Sequence, residues 1–472
     1  MRSLPRRWDD AADIVVIGSG FAGFAAAAAA ASAGSSVIVI EKMAQYGGNS
    51  ATNLGDYASW DDAQHRRATR GLGDDSAERH AADALAAGQH YGDPNLVATM
   101  ARKAPAALDW MMAEGGLRLN AALHRQGGGG FRMHFADSGR DFVEALRAIA
   151  LKHGAVLYTG AKLMRIWRDG AGGPVVGVAM ATADGLRNVM ARKAVVLATG
   201  GFGADIAMRR AFRPTLTAIY NTTNHSGATG EAIRLAQSIG ADALHLAFIE
   251  VHPFGHPKTG ALDVAARYAL RLRRQGGIIV SRAGQRFVNE MAPHDAISRA
   301  TVATGEPPAY TIFNEAMLNA AREERTEAEV AAGLAQGLIV QAATLAELGA
   351  ALGIPGETFE ATAQRFARFL AAGQDLDFAR PLTSVLLPLD AGPYYGIPRW
   401  PAVHFTAGGL RIDNRARVID IDGAPIPRLY AAGEVTGGIH GMGRTGGNST
   451  TAAIVYGRIA GAEAAALEPR EE

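Results

Sequence analysis

Apolar residues form short unbroken runs near the start of the chain and spaced, helix-like patterns further on. Ile14-Val15-Val16-Ile17 and the run from Ser36 to Ile40 offer almost nothing polar to solvent, as expected of parallel strands covered on both faces. Between them the alanine-rich stretch 24–33 predicts a helix slim enough to lie flat on a sheet. Residues 58–125 are polar and helical in period, with Asp93-Pro94 opening a helix that carries Ala104 to Met112. Four strands near 155–158, 163–168, 175–182 and 187–190, broken by Asp169-Gly170 and Asp184-Gly185, predict a β-meander. Ala194 to Ala198 is again an apolar strand, and Gly227 to Ala236 opens a helix.

After about residue 245 the character changes. Short strands and turns run to 290, amphipathic helices are expected at 314–333 and 342–372, and the chain re-enters the first domain near Leu387. Gly446 to Thr450 opens the last helix, and the tail from Glu468 is expected to fray. The fold class is therefore α/β: a Rossmann-like domain of parallel sheet plus β-meander, built from 1–244 and 379–472, with an inserted α+β capping domain at 245–378.

The first strand breaks into Gly18-Ser19-Gly20-Phe21-Ala22-Gly23, a G-x-G-x-x-G spacing. Gly18 permits the turn, Gly20 lets backbone approach a pyrophosphate, and Gly23 lets the helix pack closely on the sheet. The helix start favours an anion through its free N–H groups and dipole. Glu41 ends the second strand where a carboxylate can accept both hydroxyls of a ribose. An ordinary βαβ turn remains the alternative, since a glycine spacing alone is weak evidence; strand, helix, second strand and acid together favour a dinucleotide.

Composition narrows the chemistry. The 472 residues suffice for two cores, and 47 basic against 46 acidic residues leave no net field for nucleic acid or an anionic membrane. There is no cysteine, which excludes disulfides, thiolate catalysis and Cys-ligated iron–sulfur clusters. No metal site is expected. No run of eighteen apolar residues and no signal h-region is present, so Arg2, Arg6 and Arg7 read as a solvated tail and a cytoplasmic protein is expected.

Several motifs resemble the fumarate reductase/succinate dehydrogenase flavoprotein family, with urocanate reductase and the 3-ketosteroid dehydrogenases among its soluble relatives. They are Lys42 to Tyr57 with Gly47-Gly48-Asn49-Ser50, Ala198-Thr199-Gly200-Gly201, Val251-His252-Pro253, Arg286 to Glu290, His404 to Gly409, Arg428 to Gly433-Glu434, Gly438 to Arg444, and Gly446-Gly447-Asn448-Ser449. The resemblance implies FAD held by Gly18, Gly20, Gly23, Glu41, Lys42, Gly48, Asn49, Ser50, Thr199, Gly200, Gly433, Glu434, Asn448 and Ser449. Asn49 stands where membrane-bound members carry the histidine that links to flavin, so a non-covalent FAD is implied. The last helix would aim its N-terminus at the flavin N1/C2=O edge.

The same resemblance makes His252, His404 and Arg444 the groups that hold a substrate carboxylate. Arg444 offers a bidentate fork, and the imidazoles add directed donors. A satisfied structural role for either histidine is the alternative. Departures from the family pattern are equally informative. His294 replaces the catalytic arginine, Ala269 and Leu270 replace the threonine and glutamate of the far carboxylate site and proton relay, and Arg273 is retained. An apolar far end disfavours a dicarboxylate, and an imidazole of ordinary pKa ~6.5 can accept a proton at neutral pH. Tyr395, beside Gly392-Pro393-Tyr394, is a candidate for carbonyl activation or proton transfer, or is simply a packed aromatic.

The expected enzyme is an FAD-dependent oxidoreductase of CH–CH bonds, desaturating a small cyclic ketone, keto acid or monocarboxylate; the alternative is a soluble fumarate reductase-like enzyme reducing an activated alkene. A flavin oxidase or a non-catalytic FAD-binding protein are further readings. Its partners are a small substrate with a carboxylate or carbonyl and an external electron donor or acceptor. The run Gly127 to Gly130 before Phe131-Arg132-Met133-His134 reads either as a substrate-facing loop or as a flexible connection.

Overall fold

The computed structural model describes residues 4–322, 326–383 and 385–470. The chain divides into two compact units, one of 1–213, 225–249 and 405–472, the other of 214–224 and 250–404. The second unit therefore holds the chain past residue 378, where the sequence placed the end of the cap, because the long strand Tyr394–Thr406 pairs there with Ala309–Asn314 and Val340–Ala342.

In the first unit the strand Asp10–Ile17 lies parallel between Val37–Ile40 and the long strand Gly185–Leu197, with Ile17 opposite both Ile40 and Leu197. Pro425–Ala431 continues the parallel sheet on one side and Val156–Tyr158 on the other. Val156–Tyr158, expected in the meander, is thus a strand of the parallel sheet. The expected strands at 187–190 and 194–198 are one element, since Val189 to Leu197 stay in register with the first strand apart from a shift near Ala12. The meander proper is Lys162–Arg168, Val175–Thr182 and the start of Gly185–Leu197.

The first helix, Phe21–Ser32, is buried along nearly its whole length because alanine leaves it no bulk to hold it off the sheet. A Cβ on Gly23 would strike the carbonyl of Gly18, and one on Gly18, whose φ is +102°, would strike that of Ala198. The helix opened by Asp93 runs Pro94–Gly115, with the Asp93 carboxylate accepting from Asn95 and Leu96 N–H. Ser138 caps the helix Gly139–Lys152 in a capping box with Asp141.

The second unit is an α+β body. Its sheet centres on Tyr394–Thr406, which also pairs with Asn221–Thr222 and with Ile249–Gly255, and one apolar core fills the space under the helices Val264–Leu272 and Gly356–Ala372. The helix Val264–Leu272, capped by Asp263, stands where short strands and turns were expected, although its apolar positions 265, 268, 269 and 272 recur at helical spacing. The helix expected over 342–372 is two, Leu345–Leu352 and Gly356–Ala372, broken by Gly353 at φ +69° and Pro355. The helix expected over 314–333 is observed as Glu315–Ala320 and Thr326–Ala335, while 323–325 lie outside the described residues.

A buried ion network stiffens this unit. Arg286 grips Glu290 with two bonds of 2.8 Å and Asp375 at 2.9 Å, and Arg380 reaches Glu290 at 3.1 Å. All four side chains are buried, so the Arg286 to Glu290 motif is a structural clamp. It also sets Arg273, which donates to the Glu290 carbonyl at 2.6 Å and whose own carbonyl accepts from Arg380.

Candidate functional site

The glycine turn of the first unit is tied into a cradle by short polar links. Ser19 Oγ donates to Glu41 at 2.5 Å and accepts from Gly47 N–H at 3.0 Å, while Ser50 Oγ accepts from Phe21 N–H at 3.0 Å. The helix Phe21–Ser32 has Gly20 as N-cap and no side-chain cap, which leaves its start open to an anion. Asn49 accepts from the backbone N–H of His225 at 2.9 Å, and the His225 ring occupies the space a side chain on Gly48 would need. His225 was not singled out by any motif; its proximity to Gly48 is visible only in three dimensions.

Two observations fit an FAD here. Thr199 Oγ1 is buried with no partner among the described residues, and the next residue, Gly200, sits at φ +73° with open space beyond it. A dinucleotide lying along Gly18–Gly20, Glu41 and Thr199–Gly200 would supply the missing partner. Glu41 keeps lone pairs for ribose hydroxyls beside its bonds from Ser19 and from Met43 N–H.

Other expected cofactor residues have local duties. Lys42 is bound to Thr229 at 2.8 Å and Glu231 at 2.9 Å. Although burial raises the Glu231 carboxyl, Thr229 and Lys42 outweigh it and hold its pKa down to about 2. Glu434 accepts from Thr406 N–H at 2.9 Å, and a Cβ on Gly201 would collide with both side chains. Gly433, at φ +79°, lets the chain pass Ala22. Asn448 is buried at the start of the last helix with its carbonyl oxygen between His80 and Gln126, while Ser449 is half-buried.

Arg444 closes a loop that begins at Gly438. The backbones of Gly88 and Gly441 touch without room for a side chain on either, and Met442 N–H donates to the Gly88 carbonyl at 3.1 Å. The Arg444 guanidinium stacks 4.4 Å over Phe405, a support for a planar fork that a lysine would not use in the same way. His440 packs on Phe405 at 5.6 Å, and burial, reinforced by Arg444, holds its pKa at about 3.

In the second unit three imidazoles gather. Alternation along Ile249–Gly255 puts Glu250, His252 and Phe254 on one face. The His252 ring lies 5.1 Å from His294 and 5.5 Å from His404, centroid to centroid. His252 Nδ1 accepts from Phe254 N–H at 3.3 Å, which places the ring proton on Nε2. His404 Nδ1 is 2.8 Å from Thr223 Oγ1, a partner the sequence did not suggest. His294 is the first residue of the helix His294–Ala303, and its Nε2 faces the Arg273 guanidinium at 3.5 Å.

The expectation that His294 keeps an ordinary pKa is corrected. Burial first, then Arg273, pull it to about 4, against the opposing charge of Glu250. Burial likewise lowers Arg273, with Arg274 and Arg380 adding to it, to about 10. Ala269 is fully buried in the core of this unit, and Leu270 is partly buried against it. Tyr395 does not join the histidines through its hydroxyl, which donates to Glu315 at 2.6 Å and accepts from Gln341 at 3.0 Å while its ring stacks on Phe313. Burial and Glu315 raise its pKa.

The glycine run is divided: Gly127 and Gly128 are exposed with open space beside them, whereas its second half is held. Gly129 and Gly130 pass against the carboxylates of Asp83 and Asp75, with no space for side chains, and Arg132 and His134 are buried. Arg132 pairs with Asp75 at 2.7 Å, and His134 lies between Arg66 at 3.1 Å and the Ser59 carbonyl at 3.1 Å.

Comparison with known proteins extends this picture. Residues 13–450 match the FAD binding domain family. A fumarate reductase (cytochrome) of Shewanella frigidimarina is 34% identical over 467 residues, covering 97% of this chain and 77% of that protein. A urocanate reductase of Eggerthella lenta is 35% identical over 462 residues, covering 96% and 75%. The open conformation of a flavocytochrome c3 fumarate reductase superposes with a TM-score of 0.85 at 29% identity, over 97% of this chain and 78% of that one.

Proposed function

Since the chain belongs to the fumarate reductase/succinate dehydrogenase flavoprotein family, we propose that it reduces an activated alkene conjugated to a single carboxylate, drawing electrons from an external donor. The protein is an FAD-dependent oxidoreductase of CH–CH bonds with non-covalent flavin, and its likeness to alkene reductases favours reduction over the desaturation expected from His294. Among the described residues no helix is long and apolar enough to cross a membrane.

The direction rests on the likeness to alkene reductases, and the Arg273–His294 pair offers a proton route that fits it. Desaturation needs a base for an α-proton, and an imidazole at about 4 beside a guanidinium is a poor one. Tyr395, the other candidate, is bound to Glu315. Reduction needs an acid, and Arg273 is a charged one whose pKa has been drawn to about 10. Its Nη2–H faces His294 Nε2, so a proton passed to Nε2 releases the one on Nδ1 toward the substrate α-carbon.

When bound and reduced, FAD supplies the hydride that reaches the β-carbon. The protein's own work is to hold and polarise the substrate. By the family motifs that carry them, His252, His404 and Arg444 are the groups assigned to the substrate carboxylate, the imidazoles as directed donors and the guanidinium as a two-pronged fork. Leu270, in place of an acid, offers the far end of the substrate an apolar wall. A second carboxylate there would lose its hydration without gaining a partner. Fumarate carries two carboxylates and urocanate one, and the chain's relatives include reductases of both. The pattern here fits the second.

A steady-state assay tests this reading. Reduced viologen should be oxidised faster in the presence of aryl- or alkyl-substituted acrylates than of fumarate; a preference for fumarate would remove the single-carboxylate assignment.

A further inference from the structure

The first and last helices of the first unit run parallel with their backbones in contact. Gly457 lies against Ala22 and Gly461 against Ala26, and a side chain on either glycine would have no room. The last helix starts at Asn448, so its first two turns project beyond the start of Phe21–Ser32 by about 12 Å at about 1.5 Å per residue. Two N-termini thus open in the same direction, staggered along a shared axis. Neither is capped by its own N-cap side chain, because Gly20 and Gly447 hold those positions, and Ser50 takes only the Phe21 N–H of the first. The family resemblance assigns the first to the phosphates of the FAD and the second to its ring.

The second N-terminus is braced by buried polar groups that the chemistry above does not use. His80, 0% exposed, lies with Nε2 2.8 Å from Asn448 Oδ1. Gln126 Nε2 donates to the same oxygen at 3.0 Å and to the Gly446 carbonyl at 2.6 Å. Asn448 Nδ2 in turn donates to Thr445 Oγ1 at 3.0 Å. An amide oxygen only accepts, so His80 carries its proton on Nε2, and its Nδ1 is buried with no partner among the described residues. Gln126 is set from behind by Arg132 at 3.4 Å, which Asp75 and Asp83 hold. On the other side, Thr451 Oγ1 donates to the Ala58 carbonyl at 2.8 Å.

We propose that His80 and Gln126 are positioning residues for the flavin: by locking Gly446 to Asn448 they keep the first N–H groups of the last helix aimed at the electronegative edge of the ring, which favours its reduced, anionic form. The inference rests on the flavoprotein reading above. It also gives Gly129 and Gly130 a purpose, since a side chain on either would collide with Asp83 or Asp75, the carboxylates that hold Arg132 behind Gln126. Burial of His80 holds its pKa at about 4, so the brace is neutral and in one tautomer near pH 7.

The test is the two-electron midpoint potential of the bound FAD, titrated against a reference dye, in the wild type, His80→Leu, His80→Gln and Gln126→Leu. Both leucine variants should retain FAD and shift to a lower potential, while His80→Gln, which keeps a donor, should lie nearer the wild type. Should His80→Leu fail to fold, Gln126→Leu decides alone, because Arg132 keeps its pair with Asp75 there. An unchanged potential in either folded leucine variant overturns the proposal. A wild-type protein that binds no FAD would instead overturn the flavoprotein reading.

Discussion

Arg273 Nη2 and His294 Nε2 face each other at 3.5 Å, and since a guanidinium has nothing to accept with, the imidazole must. Its proton therefore sits on Nδ1. The pair is held from below: Arg273 Nε donates to the Leu270 carbonyl at 3.0 Å and Nη1 to that of Glu290 at 2.6 Å. One end of the imidazole is thus coupled to a buried cation, and the ring proton lies on the other.

Replacing Arg273 by methionine removes that cation while leaving the burial. The His294 pKa should rise from about 4 but stay below the usual imidazole value, because burial is the larger cause. Turnover should fall by roughly 100-fold or more, the ordinary loss for a proton donor. NMR titration of the ring and viologen-linked kinetics read the two effects. An unmoved pKa would show that the two groups are not coupled.

Acid should destabilise the first unit through its buried histidines. His80 and His134 are both held at about 4, mainly by burial. Folded-state values below the unfolded ~6.5 mean that their stability contribution is complete above about pH 6.5 and is lost as pH falls toward 4. The unfolded chain binds protons in that window and the folded chain does not. At about 1.4 kcal/mol per pKa unit, His80 accounts for roughly 3 kcal/mol, and His134 adds to it in the same direction. A urea midpoint that stays flat between pH 6.5 and 4 would contradict this.

The clamp of the second unit should be costly to break. Glu290→Gln leaves Arg286 and Arg380 buried with less than their charge balance and should cost about 3–5 kcal/mol. Thermal unfolding of the variant should show a lower Tm. A loss under about 1 kcal/mol would mean that Asp375 alone suffices.

Much of the first unit was legible in the chain because its signals are local. An apolar run, three glycines, a slim alanine helix and an acid occur in sequence order and lie together in space. The second unit was less so. His252 and His404 were recognisable by motif, yet their grouping with His294 depends on strands 150 residues apart in order of magnitude, and burial reset the His294 pKa in a way no spacing reveals. Tyr395 was drawn toward the site by its neighbours Gly392-Pro393, whereas strand alternation and Glu315 take its hydroxyl elsewhere. His80 and Gln126 carry no motif at all; only the closeness of Asn448 gives them a role.

Arg444→Lys should lose most turnover, by at least about tenfold, while FAD stays bound. A point ammonium cannot reproduce the two parallel bonds of a fork, nor its stacking at 4.4 Å on Phe405. Steady-state rates together with the flavin absorbance check this. Near-normal rates would remove Arg444 from substrate binding.

The direction of the reaction is tested most directly by anaerobic half-reactions on the purified protein. Pre-reduced enzyme mixed in a stopped-flow instrument with a substituted acrylate should regain its yellow colour, and oxidised enzyme mixed with saturated cyclic ketones or keto acids should keep it. Rapid bleaching by a saturated ring substrate, with no reoxidation by any acrylate, would contradict the account and make the enzyme a desaturase.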